Sequence, residues 1–115
     1  MTVTIWHNPR CSKSRQTLAL IEESGASVEV RHYLQAPPDQ AELRAALTLL
    51  GIAPKALMRR GEKVFKDLGL AEVDDETALL AAMVTHPILI ERPIVFAGDQ
   101  AAIGRPPEAV KGILE

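Results

Sequence analysis

Hydrophobic and polar positions along the chain fall into three blocks, and each predicts its own elements. At the N-terminus Thr2, Val3, Thr4 and Ile5 are β-branched, and the apolar segment Val3–Trp6 predicts a strand. After a polar stretch Leu18 and Ile21 recur at helical spacing, which predicts a helix over Gln16–Ser24 with Gly25 as its stop. Ser27–Leu34, with Val28, Val30 and Tyr33 among polar residues, predicts a second strand one helix after the first, hence a βαβ unit with a parallel pair.

The middle block is helical in pattern. Pro37-Pro38 breaks the chain, and Asp39 followed by Glu42 resembles a capping box ahead of Leu43, Ala46, Leu47 and Leu50, which share one helical face up to Gly51. Pro54–Arg60 predicts a short helix presenting Arg59 and Arg60 at its end, and Glu62–Leu68 predicts another before the turn at Gly69. The acidic run Glu72–Glu76 suits a helix N-terminus, and Leu79, Leu80, Met83 and Val84 make the apolar stripe of the helix that His86-Pro87 ends.

The last block returns to strands. Pro93–Phe96 and Ala101–Gly104 flank the turn Ala97–Gln100 as a β-hairpin, and Pro106-Pro107-Glu108 opens a final helix with Val110, Ile113 and Leu114 inward. The order is βαβ, a helical insert, then ββα. An α/β chain with a parallel pair closed by a hairpin has the layout of a thioredoxin-like fold, a mixed four-stranded sheet with a helical insertion, and residues 1–115 are expected to form one such domain. Pro93 stands where that fold carries a cis-proline, although the isomer itself is not written in a sequence.

Composition narrows the function. With 47% hydrophobic and 24% charged residues over 115 positions the chain is an ordinary globular one, and its net charge of −2 argues against a general nucleic-acid or membrane-surface binder. No apolar run approaches the ~20 residues of a membrane span and no signal-peptide layout opens the chain, so a cytoplasmic protein is expected. Cys11 is the single cysteine, and Ser14 stands where a Cys-x-x-Cys pair would place its second thiol, so redox chemistry at Cys11 would draw its resolving thiol from another molecule.

Cys11 lies at the expected strand-to-helix turn, within Trp6-His7-Asn8-Pro9-Arg10-Cys11-Ser12-Lys13-Ser14-Arg15. The unpaired N–H groups and positive dipole end of a helix favour an anion there, and a thiolate is an anion. With Arg10, Lys13 and Arg15 nearby, the thiol pKa is expected to fall below its free value of about 8.5 and make Cys11 a nucleophile. In apolar surroundings a lone cysteine is a small buried hydrophobe; three cations and several hydroxyl neighbours point the other way. His7, closing the strand, serves either as a structural residue or as support for the thiolate. Arg92 before Pro93, Arg105 before Pro106, and Arg59 or Arg60 could together form planar, permanently charged forks around a tetrahedral oxyanion.

At this point the chain resembles the glutaredoxin-dependent, thioredoxin-fold arsenate reductases, in the branch with His7-Asn8-Pro9-Arg10-Cys11-Ser12-Lys13-Ser14-Arg15. The resemblance extends through Tyr33-Leu34 with Pro37-Pro38, Leu57-Met58-Arg59-Arg60, Leu68-Gly69-Leu70-Ala71, His86–Val95 and Gly104-Arg105-Pro106-Pro107. It implies Cys11 as the nucleophile that forms a thiol–arsenate adduct, and Arg59, Arg92 and Arg105 as oxyanion-binding residues, with Ser14, Lys13 and Arg60 beside them; between Arg59 and Arg60 the alignment favours Arg59. It implies His7, Asn8, Ser14 and Arg15 as support for the thiolate, glutathione as co-substrate, glutaredoxin as partner, and no bound metal or cofactor. The chain departs from the well-characterised reductases at Arg10 and at Ser12-Lys13, where they carry a small residue and Gly-Thr.

Other classes leave different marks. A phosphatase-type arsenate reductase needs Cys-x5-Arg, and position 17 is Thr17. A redox-linked regulatory binding protein of this fold generally carries the Cys-x-x-Cys switch that Ser14 removes. A thiol transferase acting on glutathione mixed disulfides would use Cys11 and be indifferent to Arg92 and Arg105.

Overall fold

The computed structural model describes residues 2–114, which form two compact units: residues 2–36 with 92–114, and residues 37–91. The first unit runs β1 (Thr2–Trp6), α1 (Ser12–Glu23), β2 (Ser27–Arg31), then β3 (Ile94–Ala97), β4 (Gln100–Ile103) and a 3-10 turn, Pro107–Val110, leading into α6 (Lys111–Leu114). The second holds α2 (Gln40–Leu50), α3 (Pro54–Leu57), α4 (Lys63–Asp67) and α5 (Glu76–Thr85), with 3-10 turns at Leu70–Glu72 and Pro87–Leu89. This is the expected α/β order, with the helical segment falling between β2 and β3 along the chain.

The sheet has the order β2-β1-β3-β4 and is mixed. β1 runs parallel to β2 with Val3 opposite Val28 and Ile5 opposite Val30, and antiparallel to β3 with Ile5 opposite Val95. Because side chains alternate across a strand, Val3, Ile5, Val95 and Ala97 share one face, where they bury with Ile21 of α1 and Val110. Each fully buried valine or isoleucine of the cluster contributes about 1.5–3 kcal/mol, so this cluster fixes the register of β1 and with it the point at which the chain leaves the sheet. Gly98, at φ +61°, gives the two-residue β3–β4 turn the positive φ that tight hairpins require. The peptide bonds Arg92–Pro93 and Arg105–Pro106 are both cis.

Several boundaries differ from those read in the sequence, for local reasons. α1 begins at Ser12 rather than Gln16, with Cys11 as its N-cap residue; its buried face is Ser14, Thr17 and Ile21, so the first turns carry no apolar signal. β2 stops at Arg31 rather than Leu34, because the N–H groups of Gln35 and Ala36 both donate to the His32 carbonyl, forming a turn that buries Tyr33. The helix expected over Pro54–Arg60 ends at Leu57. Its continuation donates and accepts elsewhere: the Arg59 N–H bonds the Leu89 carbonyl and the Glu91 N–H bonds the Leu57 carbonyl, each at 2.7 Å, around a Met58–Ile90 bridge. The capping box at α2 is present, with Asp39 Oδ1 accepting from the Glu42 N–H at 2.8 Å and Glu42 Oε1 accepting from the Asp39 N–H at 3.1 Å.

Candidate active site

The site is built where β1 ends and α1 begins. His7 extends the β1 ladder, its N–H donating to the Arg31 carbonyl at 2.8 Å. The chain then turns at Asn8: its carbonyl accepts from the Cys11 N–H at 3.0 Å and its Oδ1 accepts from the Arg10 N–H at 3.0 Å. This side-chain-to-backbone turn delivers Cys11 to the helix start in extended conformation, φ −95° and ψ 123°. The Cys11 side chain is buried apart from about a tenth of its surface, at 8% exposure.

Four groups act on the thiol. Burial pushes its pKa up; hydrogen bonding from the Ser14 N–H, the Arg92 charge, hydrogen bonding from the Lys13 N–H and the Arg105 charge push it down, and the balance holds it below the ordinary cysteine value. The cations that matter are the distant ones. Arg105 Nη2 lies 3.5 Å from Cys11 Sγ, and Arg105 Nε donates to the Arg92 carbonyl at 2.7 Å, which ties the two arginines together. Arg10 and Arg15, expected to lower the thiol pKa through their nearness in sequence, are not among its causes, and Lys13 acts through its backbone N–H while its side chain is exposed. Arg15 instead donates from Nη1 to the Pro9 carbonyl at 2.8 Å, bracing the turn.

Behind the thiol is a polar pair. His7 Nδ1 and Ser14 Oγ are 2.6 Å apart, both residues buried, and Ser14 Oγ also accepts from the Asn8 N–H at 3.1 Å. The hydroxyl donates to Nδ1 in one imidazole tautomer and accepts from it in the other, so the bond survives either. Burial lowers the His7 pKa, and the neighbouring charges of His32 and Arg15 lower it further. His32 was not marked by any sequence signal. It reaches His7 because it follows β2, the parallel neighbour of β1, and the two rings meet edge to face with centroids 5.9 Å apart.

Cys11, His7, Asn8, Lys13, Ser14, Arg15, Arg92 and Arg105 thus belong to one unit, brought together by the β1–α1 turn and the ends of β3 and β4. Arg59 and Arg60 belong to the other. There Arg59 pairs through Nη1 with Glu62 Oε1 and has Nε 4.0 Å from Glu91 Oε1, while Arg60 is exposed in a turn rather than at a helix end. Among the described residues no group of three or more His, Cys, Asp or Glu could hold a metal ion, and no helix is long and apolar enough to cross a membrane. What the arrangement can do is hold an anion against a thiolate, under two arginine forks.

Known proteins share this arrangement of sequence and fold. The ArsC family model matches residues 6–113. The chain is 47% identical over 114 residues to the arsenate reductase of Neisseria meningitidis serogroup A strain Z2491, covering 97% of each chain. It is 52% identical over 114 residues to the uncharacterized protein YfgD of Escherichia coli strain K12, covering 97% of this chain and 96% of that one. Among solved structures, the arsenate reductase from Vibrio cholerae superposes with a TM-score of 0.95 at 48% identity over 98% of both chains.

Proposed function

The chain belongs to the ArsC family, and from that premise we propose that it is an arsenate reductase that uses Cys11 as nucleophile and draws its electrons from glutathione and glutaredoxin. The observation that carries the reading is the thiol at the N-cap of α1, held below the ordinary cysteine pKa, with the Arg105 guanidinium 3.5 Å from its sulfur. A thiolate and a cationic fork at one point are what attack on an oxyanion requires.

The Cys11 thiolate attacks arsenic of dihydrogen arsenate, a proton is taken up, water leaves, and a Cys11–S–As(V) adduct remains. Arg92 and Arg105 stabilise charge on the oxygens as the sulfur–arsenic bond forms. The thiolate of glutathione then attacks the Cys11 sulfur; a mixed disulfide forms, the sulfur–arsenic pair of electrons stays on arsenic, and with two protons As(III) leaves as arsenite. Glutaredoxin returns Cys11 to the thiol by taking the glutathionyl group. One internal cysteine suffices, since every resolving thiol is external. His7 and Ser14 hold the turn that presents the thiolate, and Asn8 and Arg15 brace it. The family resemblance gives Arg59 a share in holding the oxyanion, and an Arg59→Ala variant with raised KM for arsenate would support that share. Dependence on glutathione suits the cytoplasm, which we propose as the location.

The test is arsenate-dependent NADPH oxidation in a coupled assay with glutathione, glutaredoxin and glutathione reductase, wild type against Cys11→Ser. Turnover that vanishes in the variant supports the reading. No turnover by folded wild type, with Cys11 still alkylated rapidly at pH 7, would favour a thiol transferase on glutathione mixed disulfides; that activity should survive replacement of Arg92 and Arg105, whereas arsenate reduction should not.

A further inference from the structure

Gly104 follows β4 immediately before Arg105, and its N–H donates to the Pro93 carbonyl at 2.9 Å. It is buried, and a Cβ placed on it would lie 2.4 Å from Thr17 Oγ1, 2.8 Å from Pro93 Cγ and 3.0 Å from Thr17 Cγ2. Contacts that short force something to move. Thr17 is poorly able to do so: it is fully buried, its Oγ1 donates to the Lys13 carbonyl at 2.7 Å and reaches the Gly104 carbonyl at 3.5 Å, and a β-branched side chain in a helix has few rotamers. Pro93 is fixed at the head of β3. The backbone at Gly104 therefore lies flush against α1, three residues beyond Ser14 on the same buried face of the helix that Cys11 caps.

One residue further on, Arg105 contacts the Arg92 carbonyl and Cys11 Sγ. We propose that Thr17 and Gly104 are positioning residues: their side-chain-to-backbone contact sets how near Arg105 comes to Cys11, and so how strongly the site favours the anion it holds. The lever is one residue long, so a shift of the Gly104 backbone away from α1 carries the guanidinium with it, and both a charge-assisted hydrogen bond and a Coulombic attraction weaken with that distance. The inference rests on Cys11 as nucleophile and on Arg105 as a hydrogen-bond donor to the anion.

The experiment measures Cys11 alkylation by iodoacetamide against pH in Gly104→Ala. The rate at pH 7 should fall about threefold to tenfold as the thiol pKa rises, while the alkaline plateau stays within about twofold of wild type. Thr17→Ala in the Gly104→Ala background removes two of the three close contacts and should restore at least half of the lost rate; Thr17→Ser alone, which keeps Oγ1, should leave the profile unchanged. In the arsenate assay Gly104→Ala should raise KM by a larger factor than it lowers kcat. If Gly104→Ala does not fold, Thr17→Ile crowds the same contact from the helix side and is measured in its place. A folded variant with lowered Tm and a wild-type alkylation profile would overturn the proposal, since a merely structural contact behaves that way. Absence of arsenate turnover in wild type would count against the reductase reading, and the alkylation profiles would still decide the positioning role.

Discussion

Arg105 reaches Arg92 with one nitrogen and Cys11 with another: Nε donates to the Arg92 carbonyl at 2.7 Å while Nη2 stands 3.5 Å from the sulfur. A guanidinium makes both contacts from separate nitrogens because its donors are spread over a rigid planar fork; an ammonium carries its three donors on one atom and does not hold that spacing.

Arg105→Lys should therefore keep the charge and lose the geometry. The expected result is a rise of about tenfold in KM for arsenate, with Arg105→Ala losing about a hundredfold to a thousandfold in kcat/KM, as removal of an oxyanion donor does. Steady-state kinetics of both variants check this; equal kinetics for Lys and Arg would show that charge alone is used.

The thiol also links stability to pH. The folded-state pKa of Cys11 lies below its unfolded value, so the unfolded chain binds more protons between the two. The resulting stabilisation is fully present above about pH 9, the ordinary thiol value from which Cys11 is lowered, and is lost as pH falls through the folded pKa. Denaturant unfolding of wild type and Cys11→Ser should show a gap that shifts in favour of wild type as pH rises toward that limit; a pH-independent gap would refute it.

His7 behaves the same way at lower pH. Burial first, then His32 and Arg15, hold its pKa below the unfolded value, so its neutral form is favoured in the fold. Stability should be complete above about pH 6.5 and should fall as pH drops through the folded pKa. Replacing His32 with Gln removes one cause and leaves burial, which raises the His7 pKa and shrinks the acid-side loss. Melting temperatures at pH 7 and pH 5 test this, with NMR titration of the His7 ring as the direct readout.

In the helical segment the capping box at Asp39 and Glu42 offers a prediction independent of the site. Asp39→Ala should cost about 1 kcal/mol, and lower Tm by about 4 °C, because it removes the side-chain acceptor of the Glu42 N–H in the first turn of α2. Activity should be unaffected, so a large kinetic effect in this variant would mean that α2 is coupled to catalysis.

The local elements were legible because their causes are local. β-branched residues at Thr2–Ile5, the Asp39–Glu42 box and Gly98 each act within a few positions, and so does the strand-to-helix turn that holds Cys11. The helix start at Ser12 was hidden for a physical reason: the face of α1 that turns inward at the site is Ser14 and Thr17, and buried polar residues leave no hydrophobic period. Likewise Tyr33 is buried from a turn and Met58 from an isolated bridge, so their apolarity suggested longer elements than exist.

By itself the sequence determined the order of the strands and helices, where the chain turns, and that its single cysteine stands at a strand-to-helix turn, since these follow from propensity, capping and period. Only the tertiary structure decided which charges the nucleophile feels. Arg10 and Arg15 lie within four residues of Cys11 and are not among the causes of its pKa shift, whereas Arg105, 94 residues away, is. The reason is geometric: an electrostatic effect depends on distance in space, and the pairing of β1 with β3 and β3 with β4, together with the contact of Gly104 on Thr17, sets that distance.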